Sequence, residues 1–480
     1  MLKSSFSGKA EKKLRNFSYF EFFPTKQVNE EKASLPSLGH KKIIKTKHDT
    51  PISNPIAKFV ALKRERFGLI LLMRLLYFLI LTMLTTQSAY AQGFVQAKGQ
   101  KIFDPQGKEL YLRGTNLGNW LVPEGYMFKT GEVNAPSRIH QLIMEMTGPD
   151  FTFDFWEQHL DHYIQKEDIE YLKSTGINHL RLPFHYKMLT NEDYLGKDYH
   201  GFAYFDRLIS WCREAGLYVI LDMHCAPGGQ TGDNIDDSDG YPYLLESPWA
   251  QGVFLEVWEK IAARYANEPV VLGYCLINEP IAHYFSEDLP QLNKKLEPLY
   301  KKAVEVIRAQ DPHHLIFLSG AQWNGNFEIF GAPFADNLVY EFHKYWFEVR
   351  QEAVQVYVDF SEKHQVPIYV GETGENTDAW CESFRVLLEK NKINWCFWPY
   401  KKMANTKGFW NFDLPEDYHL ITAYAAADRS SYARRRAHLP DRELVKKALT
   451  DYINNCQYKK GFENTGYVKA LGLRPLEKAQ

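Results

Sequence analysis

Apolar and polar positions follow two alternating patterns along residues 93–400. The first is a short run rich in β-branched and aromatic residues, often apolar without strict alternation, which is typical of parallel strands covered on both faces. Eight runs of this kind are present: "ELYLRGTN" (109–116), "INHLRLPF" (177–184), "LYVILDMH" (217–224), "VLGYCLIN" (271–278), "HLIFLSG" (314–320), "NLVYEFHKY" (337–345), "PIYVGE" (367–372) and "INWCFWPY" (393–400).

The second pattern is a longer stretch with apolar residues at helical spacing. It is clear at 204–216, which ends in Gly216, at 248–267 and at 379–392. Strands that alternate with helices predict an α/β fold, a (β/α)8 TIM barrel within residues 92–480 followed by a C-terminal helical tail. A doubly wound open sheet is the alternative, but it would usually carry a glycine-rich phosphate loop after its first strand.

Polar side chains interrupt the apolar runs where the predicted strands end. In a barrel of this class the carboxyl ends of the strands meet at one mouth, where active sites lie. We therefore expect these residues to converge there: Asn116, Arg181, His224, Asn278, Glu279, His343, Tyr345, Glu372 and Trp398.

Two of these residues are acids on the predicted fourth and seventh strands. Glu279 and Glu372 are three βα units apart, so they should face each other across the mouth. Two carboxyls that flank a bond suit glycoside hydrolysis, because one protonates the leaving oxygen and the other attacks the anomeric carbon or activates water. We expect Arg181 and Tyr345 to hold Glu372 ionised. Asn278 would bind a sugar 2-hydroxyl, and His224 and His343 would contact substrate or an acid.

Composition adds a preference for flat apolar ligands. Aromatic residues make up 15% of the chain, enough for a large core and for platforms that stack on sugar rings. The candidate platforms are Trp120, Trp323, Trp346, Trp398 and Trp410. The six cysteines show no CxxC spacing, so we expect no metal and no cofactor. The acidic loop 232–240 is interpreted as a rim loop in preference to a calcium site.

Charge is distributed unevenly along the chain. Residues 1–91 carry 16 Lys and Arg against 6 Asp and Glu, which leaves a net charge of −12 on the remainder and no reason to bind nucleic acid. Residues 73–91 have the pattern of a secretory signal peptide, with Ala89-Tyr90-Ala91 as the cleavage site. We therefore interpret residues 1–72 as a non-native or disordered extension. We expect a secreted or periplasmic protein without stable membrane insertion; the alternative is an anchor helix.

Several motifs resemble glycoside hydrolase family 5. "LINEP" is similar to its acid/base motif and "VGETG" to its nucleophile motif, which implies these roles for Glu279 and Glu372. "LRGTNLGNWLVPEGY" and "HCAPGG" resemble the exo-β-1,3-glucanase branch, although Asn119 stands where that branch usually has glycine. The resemblance assigns substrate binding to Glu124, Arg181, His224, His343, Tyr345 and Trp398. Asn116 and Asn278 complete the set of predicted substrate-binding residues.

The motifs and the acid pair together predict a secreted retaining β-glycoside hydrolase that acts on a β-glucan, by exo or endo attack. A β-mannanase or another β-glycosidase of the same family is the nearest alternative. A carbohydrate-binding barrel without catalysis and a membrane-anchored scaffold are the alternatives from other classes. The expected partner is a polysaccharide or oligosaccharide, and the sequence leaves the oligomeric state open.

Overall fold

A closed ring of parallel strands lies at the centre of the computed structural model, which describes residues 93–404 and 407–476. Each barrel strand pairs with the next one along the chain, and the last strand pairs with the first to close the ring. This closure confirms the predicted (β/α)8 barrel and excludes the open sheet. The barrel strands are β3 (Arg113–Asn116), β4 (His179–His185), β5 (Tyr218–Cys225), β6 (Val271–Cys275), β7 (Leu315–Ser319), β8 (Leu338–His343), β9 (Ile368–Glu372) and β10 (Asn394–Phe397).

The predicted extension at 1–72 and signal peptide at 73–91 lie outside the described residues. Across the part of the chain that the structure does describe, no helix combines the length and apolarity needed to cross a bilayer.

The barrel interior changes from apolar to charged along its axis. Near the start of their strands, Leu112, Ile220 and Leu272 belong to one buried cluster. That cluster includes residues beside and within an N-terminal hairpin of β1 (Gln96–Lys98) and β2 (Lys101–Phe103). Alternate residues of a strand face the same side, so Asp222 follows Ile220 into the interior. The apolar layers therefore support a charged layer near the mouth.

Helices surround the barrel and confirm the predicted helical segments to within three residues. A left-handed Gly216 (φ 69°) ends the helix Gly201–Ala215, and the Ser247 hydroxyl caps the helix Pro248–Tyr265 by accepting the Ala250 N–H at 3.3 Å. The helices are α1 (Gly125–Phe128), α2 (Pro136–Thr147), α3 (Pro149–His162), α4 (Lys166–Thr175), α5 (Gly201–Ala215), α6 (Pro248–Tyr265), α7 (Leu289–Gln310), α8 (Glu352–His364), α9 (Asp378–Lys390), α10 (His419–Ala426), α11 (Tyr432–His438), α12 (Arg442–Cys456) and α13 (Thr465–Ala470).

The segment after β10 returns to the outside of the barrel. It contributes a small sheet of β11 (Lys401–Met403), β12 (Trp410–Phe412) and β13 (Phe462–Glu463). Helix α12 packs against α2 and α3, and α13 packs against α9. The tail thus covers helices that precede the second and eighth barrel strands.

One buried ion pair joins the tail to the barrel. The Lys401 ammonium lies 2.7 Å from Asp168 Oδ1, and neither side chain is exposed. Lys401 also donates to the carbonyl oxygens of Tyr163 (2.7 Å) and Cys456 (3.0 Å), and Asp168 accepts the Gln165 N–H at the start of α4. A buried charge is tolerated only with such partners, so this pair links β11, α4 and α12.

We expect Lys401→Met to lower the free energy of unfolding by about 3–5 kcal/mol, because it leaves the Asp168 carboxylate buried without a cation. Urea unfolding followed by circular dichroism measures the change. Lys447→Met, which breaks a half-exposed pair with Asp451, is the matched control and should cost less than about 1 kcal/mol. Equal effects of the two substitutions would show that the buried pair does not stabilise the junction.

Candidate active site

The predicted site residues gather at the carboxyl ends of the barrel strands. Asn116, His343 and Glu372 are the last residues of β3, β8 and β9. Trp398 directly follows β10, and Tyr345 lies two residues after β8. The strands therefore bring these side chains to one mouth, as the sequence predicts.

Three residues, Arg181, Asn278 and Glu279, lie elsewhere than expected on their strands. Arg181 is the third residue of β4, because this strand continues to His185 and does not end near the arginine. Glu279 lies four residues after the end of β6 at Cys275, in a loop and not at a strand terminus. The segment between Cys275 and Glu279 still bonds to the neighbouring strand, since the Asn278 N–H donates to the Met223 carbonyl at 3.1 Å.

The two acids meet in the mouth. A carboxylate oxygen of Glu279, one of Glu372 and a ring nitrogen of His343 lie within 4.8 Å of one another. The Glu279 residue is 9% exposed and Glu372 is 5% exposed. Both carboxyls are therefore close to each other and largely withdrawn from solvent.

Glu372 has the partners that the sequence assigns to it. The Arg181 guanidinium donates to Oε1 at 2.6 Å, and the Tyr345 hydroxyl donates to Oε2 at 3.1 Å. Burial nevertheless raises the pKa of Glu372 above its ordinary value, and the cations of His343 and Arg181 oppose this rise. The expected contacts are present, but burial moves the pKa in the direction opposite to the one expected.

The loop that carries Glu279 is held in an unusual backbone conformation. Glu279 has a φ of 43°, in the left-handed region that side chains rarely adopt. Its carbonyl accepts the Thr231 hydroxyl at 2.7 Å, and the Gln230 side chain donates to the Asn278 carbonyl at 2.9 Å. The Ile281 N–H donates back to the Gln230 carbonyl at 2.8 Å. These bonds from the loop after β5 fix the direction of the Glu279 side chain.

His343 is surrounded by carboxylates. Its Nδ1 donates to Glu279 at 2.8 Å and its Nε2 donates to Glu341 at 3.0 Å, while Glu372 lies 3.8 Å from Nδ1. Burial alone would lower the pKa of His343, but these carboxylates raise it to about 9. A Cβ atom at Gly371 would lie 1.8 Å from Glu341 Oε1, so this strand position requires glycine. His343 is therefore a cation next to both acids at neutral pH.

Arg181 contacts a second layer of acids beneath the pair. Its Nη2 lies 3.0 Å from Asp222 and 3.3 Å from Glu341, and these two carboxylates are fully buried. The sequence analysis missed both acids. A signal was available: each lies two residues before a predicted site histidine, and residues i and i+2 of a strand face the same side. Asp222 accepts the His224 Nδ1–H at 2.8 Å and, against the opposing effect of burial, raises the pKa of His224.

Two asparagines orient the same guanidinium. Asn116 Oδ1 accepts from Arg181 Nη1 at 3.0 Å, and Asn278 Oδ1 accepts from Nη2 at 2.8 Å. All three side chains are completely buried and lie beneath the cavity, not among the residues that line it. They were predicted to bind substrate; in the structure Arg181 contacts Glu372 directly, and the two asparagines contact Arg181.

A cavity of about 830 Å³ opens over the acid pair. Seven of the predicted site residues line it: Glu124, His224, Glu279, His343, Tyr345, Glu372 and Trp398. Trp323, Trp346 and Phe347 form an aromatic part of the wall, and Trp346 is 74% exposed. Of the other candidate platforms, Trp120 and Trp410 belong to the buried core and cannot stack on a ligand.

A second polar group faces the cavity from the loop after β3. Glu124 is buried, its Oε1 has no hydrogen-bond partner, and burial raises the pKa of its carboxyl to about 8. The Asn119 side chain accepts the Glu124 N–H at 3.0 Å. Asn119 has a φ of 63°, a conformation that suits glycine or asparagine. The residue that departs from the glucanase pattern thus meets the same backbone requirement and also positions Glu124.

Trp398 contributes to the cavity wall from the segment directly after β10. Its indole stacks on the His224 ring at 5.7 Å, and its N–H donates to the Tyr126 hydroxyl at 2.5 Å. Gly118 packs so closely that a Cβ atom there would lie 2.6 Å from the indole. The Trp398 indole is therefore fixed by a hydrogen bond at its N–H and by stacking on its face before any ligand binds.

Hydrogen bonds at the mouth compete with metal binding. Glu279, His343 and Glu372 are close enough to share an ion. However, both ring nitrogens of His343 already hydrogen-bond to carboxylates, and an ion would have to displace one of these bonds. In the loop 232–240, Asp236 accepts the backbone N–H groups of Thr231 and Gly232 at 2.7 Å each. The Asp236 carboxylate therefore stabilises the conformation of its own loop.

Comparison with known proteins gives the family. The family model described as "Cellulase (glycosyl hydrolase family 5)" matches residues 144–404. The matched segment begins in α2 and extends past β11, so it contains both glutamates of the mouth and seven of the barrel strands.

Curated relatives carry three different names. The chain is 28% identical to the Beta-xylosidase of Phanerodontia chrysosporium, over 65% of this chain and 71% of that one. It is 27% identical to Endoglucanase C of Acetivibrio thermocellus, over 52% and 87%. It is 30% identical to the probable glucan 1,3-beta-glucosidase A of Aspergillus fumigatus, over 45% and 52%.

The relatives agree with the predicted resemblance, because glucan 1,3-beta-glucosidases are among them. The family model covers more than half of the chain, and the fold is the expected barrel. The chain therefore belongs to glycosyl hydrolase family 5 and is a glycoside hydrolase.

Proposed function

We propose that this protein is a retaining β-glycoside hydrolase in which Glu372 is the nucleophile and Glu279 the acid/base. The separation of the two carboxyls carries the proposal. Their oxygens approach within 4.8 Å, whereas about 5–5.5 Å between carboxyl groups is typical of retaining enzymes and about 6.5–9.5 Å of inverting ones.

The first chemical step would form a covalent glycosyl-enzyme. A Glu372 oxygen attacks the anomeric carbon while the bond from that carbon to the leaving oxygen breaks, and the leaving oxygen takes the Glu279 proton. Arg181 and Tyr345 hold the Glu372 carboxylate in place for the attack. In the second step, Glu279 accepts a proton from water as the water oxygen displaces Glu372 from the anomeric carbon.

His343 would balance charge during both steps. Its ring lies 2.8 Å from Glu279 and 3.8 Å from Glu372, so a positive charge stays near whichever carboxyl is ionised. Glu341 on the other side of the ring keeps the imidazole oriented. Such fixed charges act strongly in a site that excludes water.

We propose a β-glucan as the substrate. The aromatic cavity wall suits the apolar faces of glucose units, and relatives named as an endoglucanase and a glucan 1,3-beta-glucosidase support the choice. A β-xyloside is the second candidate, because the relative named Beta-xylosidase aligns over a larger share of this chain. Hydrolysis of a panel of β-1,3-glucan, β-1,4-glucan, mannan and aryl β-glycosides, with product analysis, tests both; activity on mannan alone would overturn both.

We also propose that the enzyme is exported. Residues 73–91 have the pattern of a signal peptide. The chain after them carries a net negative charge, which gives it no reason to bind nucleic acid. A β-glucan outside the cell would be the matching substrate.

The two acids should respond differently to the leaving group. Glu279→Gln should lower kcat/KM for an unactivated glycoside about 10²–10⁴-fold, but should lower kcat/KM for a dinitrophenyl glycoside much less, because that leaving group needs no proton in the first step. Glu372→Gln should abolish turnover of both substrates. Steady-state kinetics with the exposed Glu362→Gln as control measures these effects. Equal losses on both substrates in Glu279→Gln would contradict its assignment as the acid.

The covalent step predicts the anomeric outcome. Proton NMR of the first product should show the β-anomer with the wild-type protein. Glu372→Gly should regain part of its activity when azide is added, and the product should be the α-glycosyl azide, because the anion attacks from the face that the carboxylate has vacated. An α-anomer as first product of the wild-type protein would disprove retention.

The charge on His343 predicts a change in pH dependence. Glu341→Gln removes one of the carboxylates that raise the pKa of His343 to about 9, so the ring should lose its proton at lower pH. We expect the alkaline limb of kcat/KM to move to lower pH. Asp222→Asn removes a carboxylate next to Arg181 but none next to His343. The alkaline limb of kcat/KM in this variant should therefore lie closer to that of the wild-type protein. An unchanged limb in Glu341→Gln would exclude this role for the histidine.

A further inference from the structure

A row of aromatic rings leads away from the cavity along the surface. The row begins at Trp323 in the cavity wall, whose indole N–H donates to His283 Nδ1 at 3.1 Å. From there each ring contacts the next, with centroid separations between 5.0 and 5.6 Å. We call the rings outside Trp323 the aromatic strip, in spatial order His283, Tyr284, Phe285, Tyr241 and Tyr243.

The strip is accessible to a ligand. Tyr284 is 49% exposed and Tyr243 is 48% exposed, while Tyr241 and Phe285 are half-buried between them. Single exposed aromatic residues are common on protein surfaces, whereas a contiguous exposed apolar patch usually marks a binding surface. The contact with Trp323 makes this patch continuous with the cavity.

Hydrogen bonds hold the exposed rings in place. The Tyr284 hydroxyl donates to Asp233 and lies 3.4 Å from the Gly232 carbonyl oxygen, which fixes the ring against the loop after β5. The Tyr241 hydroxyl lies 3.4 Å from Asp288. Rings that are already ordered lose little entropy when a ligand packs on them. The anchoring groups are acidic, so the strip suits a neutral ligand better than an anionic one.

The position of the strip relative to Glu279 indicates which side of the cleaved bond the strip faces. His283, Tyr284 and Phe285 follow Glu279 by four to six residues in the loop after β6. Under the proposed function, Glu279 protonates the oxygen of the leaving group. The strip therefore begins on the side of the cavity where the leaving part of the substrate lies.

We propose that the aromatic strip binds the leaving-group side of a neutral β-glycan chain, and that it extends the substrate site beyond the cavity. Pyranose rings present apolar faces that pack on aromatic rings, and the row offers several such surfaces in sequence. The inference rests on the proposed function, because the side of the bond assigned to the strip comes from the role of Glu279. Binding along the strip would make long polymers better substrates than short glycosides.

The test compares a polymer with a short substrate. In a Tyr243→Ala/Tyr284→Ala variant, the ratio of kcat/KM for a soluble β-glucan to kcat/KM for an aryl β-glucoside should fall about five- to tenfold, as expected for the loss of two ring contacts. Tyr432→Ala removes a 78% exposed ring from α11 and serves as the matched control. The single variant Tyr284→Phe should keep most of this kcat/KM ratio, because the ring remains.

Direct binding separates failure of the strip from failure of the proposed function. Glu279→Gln protein should be retarded in a native gel that contains soluble neutral β-glucan, and the added Tyr243→Ala/Tyr284→Ala changes should abolish most of the retardation. A carboxymethylated glucan should retard it less. Unchanged retardation and an unchanged kinetic ratio would overturn the strip. Loss of retardation in a protein that hydrolyses no glycoside would support the strip and reject the proposed function.

Discussion

The ion pairs of Arg181 determine how the mouth of this barrel is organised. The guanidinium is fully buried and lies within 3.3 Å of the carboxylates of Asp222, Glu341 and Glu372, which are buried as well. Removing such charges from water costs several kcal/mol per ion, and only close opposite charges and hydrogen bonds offset this cost. The geometry must therefore be well defined, and with Asn116 and Asn278 six strands or their following loops supply its parts.

The layering of the barrel interior explains why this arrangement is possible. The apolar cluster near the start of the strands keeps water away from the charged layer above it, so each charge interacts strongly with its neighbours. Negative groups outnumber Arg181, and His343 and His224 compensate: carboxylates raise the pKa of both rings against burial. A barrel that carried only the two outer glutamates on this apolar base would leave Arg181 without enough partners.

Sequence patterns identified the rigid part of this site and missed the part that depends on contacts between distant residues. Parallel strands have a strong local pattern, and Glu372 ends one of them, so its place followed from the run before it. Asp222 and Glu341 have a weaker local signal, since each lies two residues before a site histidine. Gln230 has none, because its bond to the Asn278 carbonyl joins residues 48 positions apart. The same holds for the left-handed conformation of Glu279, which those bonds maintain.

Specificity depends on the loops, where periodicity gives no information. The acids are mounted on strands and on one clamped loop, whereas the loops after β5, β6 and β7 contribute Tyr241, Tyr284 and Trp323 to the surface beyond them. The clamp and the surface are physically connected: Thr231 accepts the Ala282 N–H at 2.9 Å, directly before His283. The bonds that aim Glu279 therefore also fix the start of the aromatic strip. Under the proposed roles of Glu279 and the aromatic strip, a change in that loop would alter proton transfer and polymer binding together.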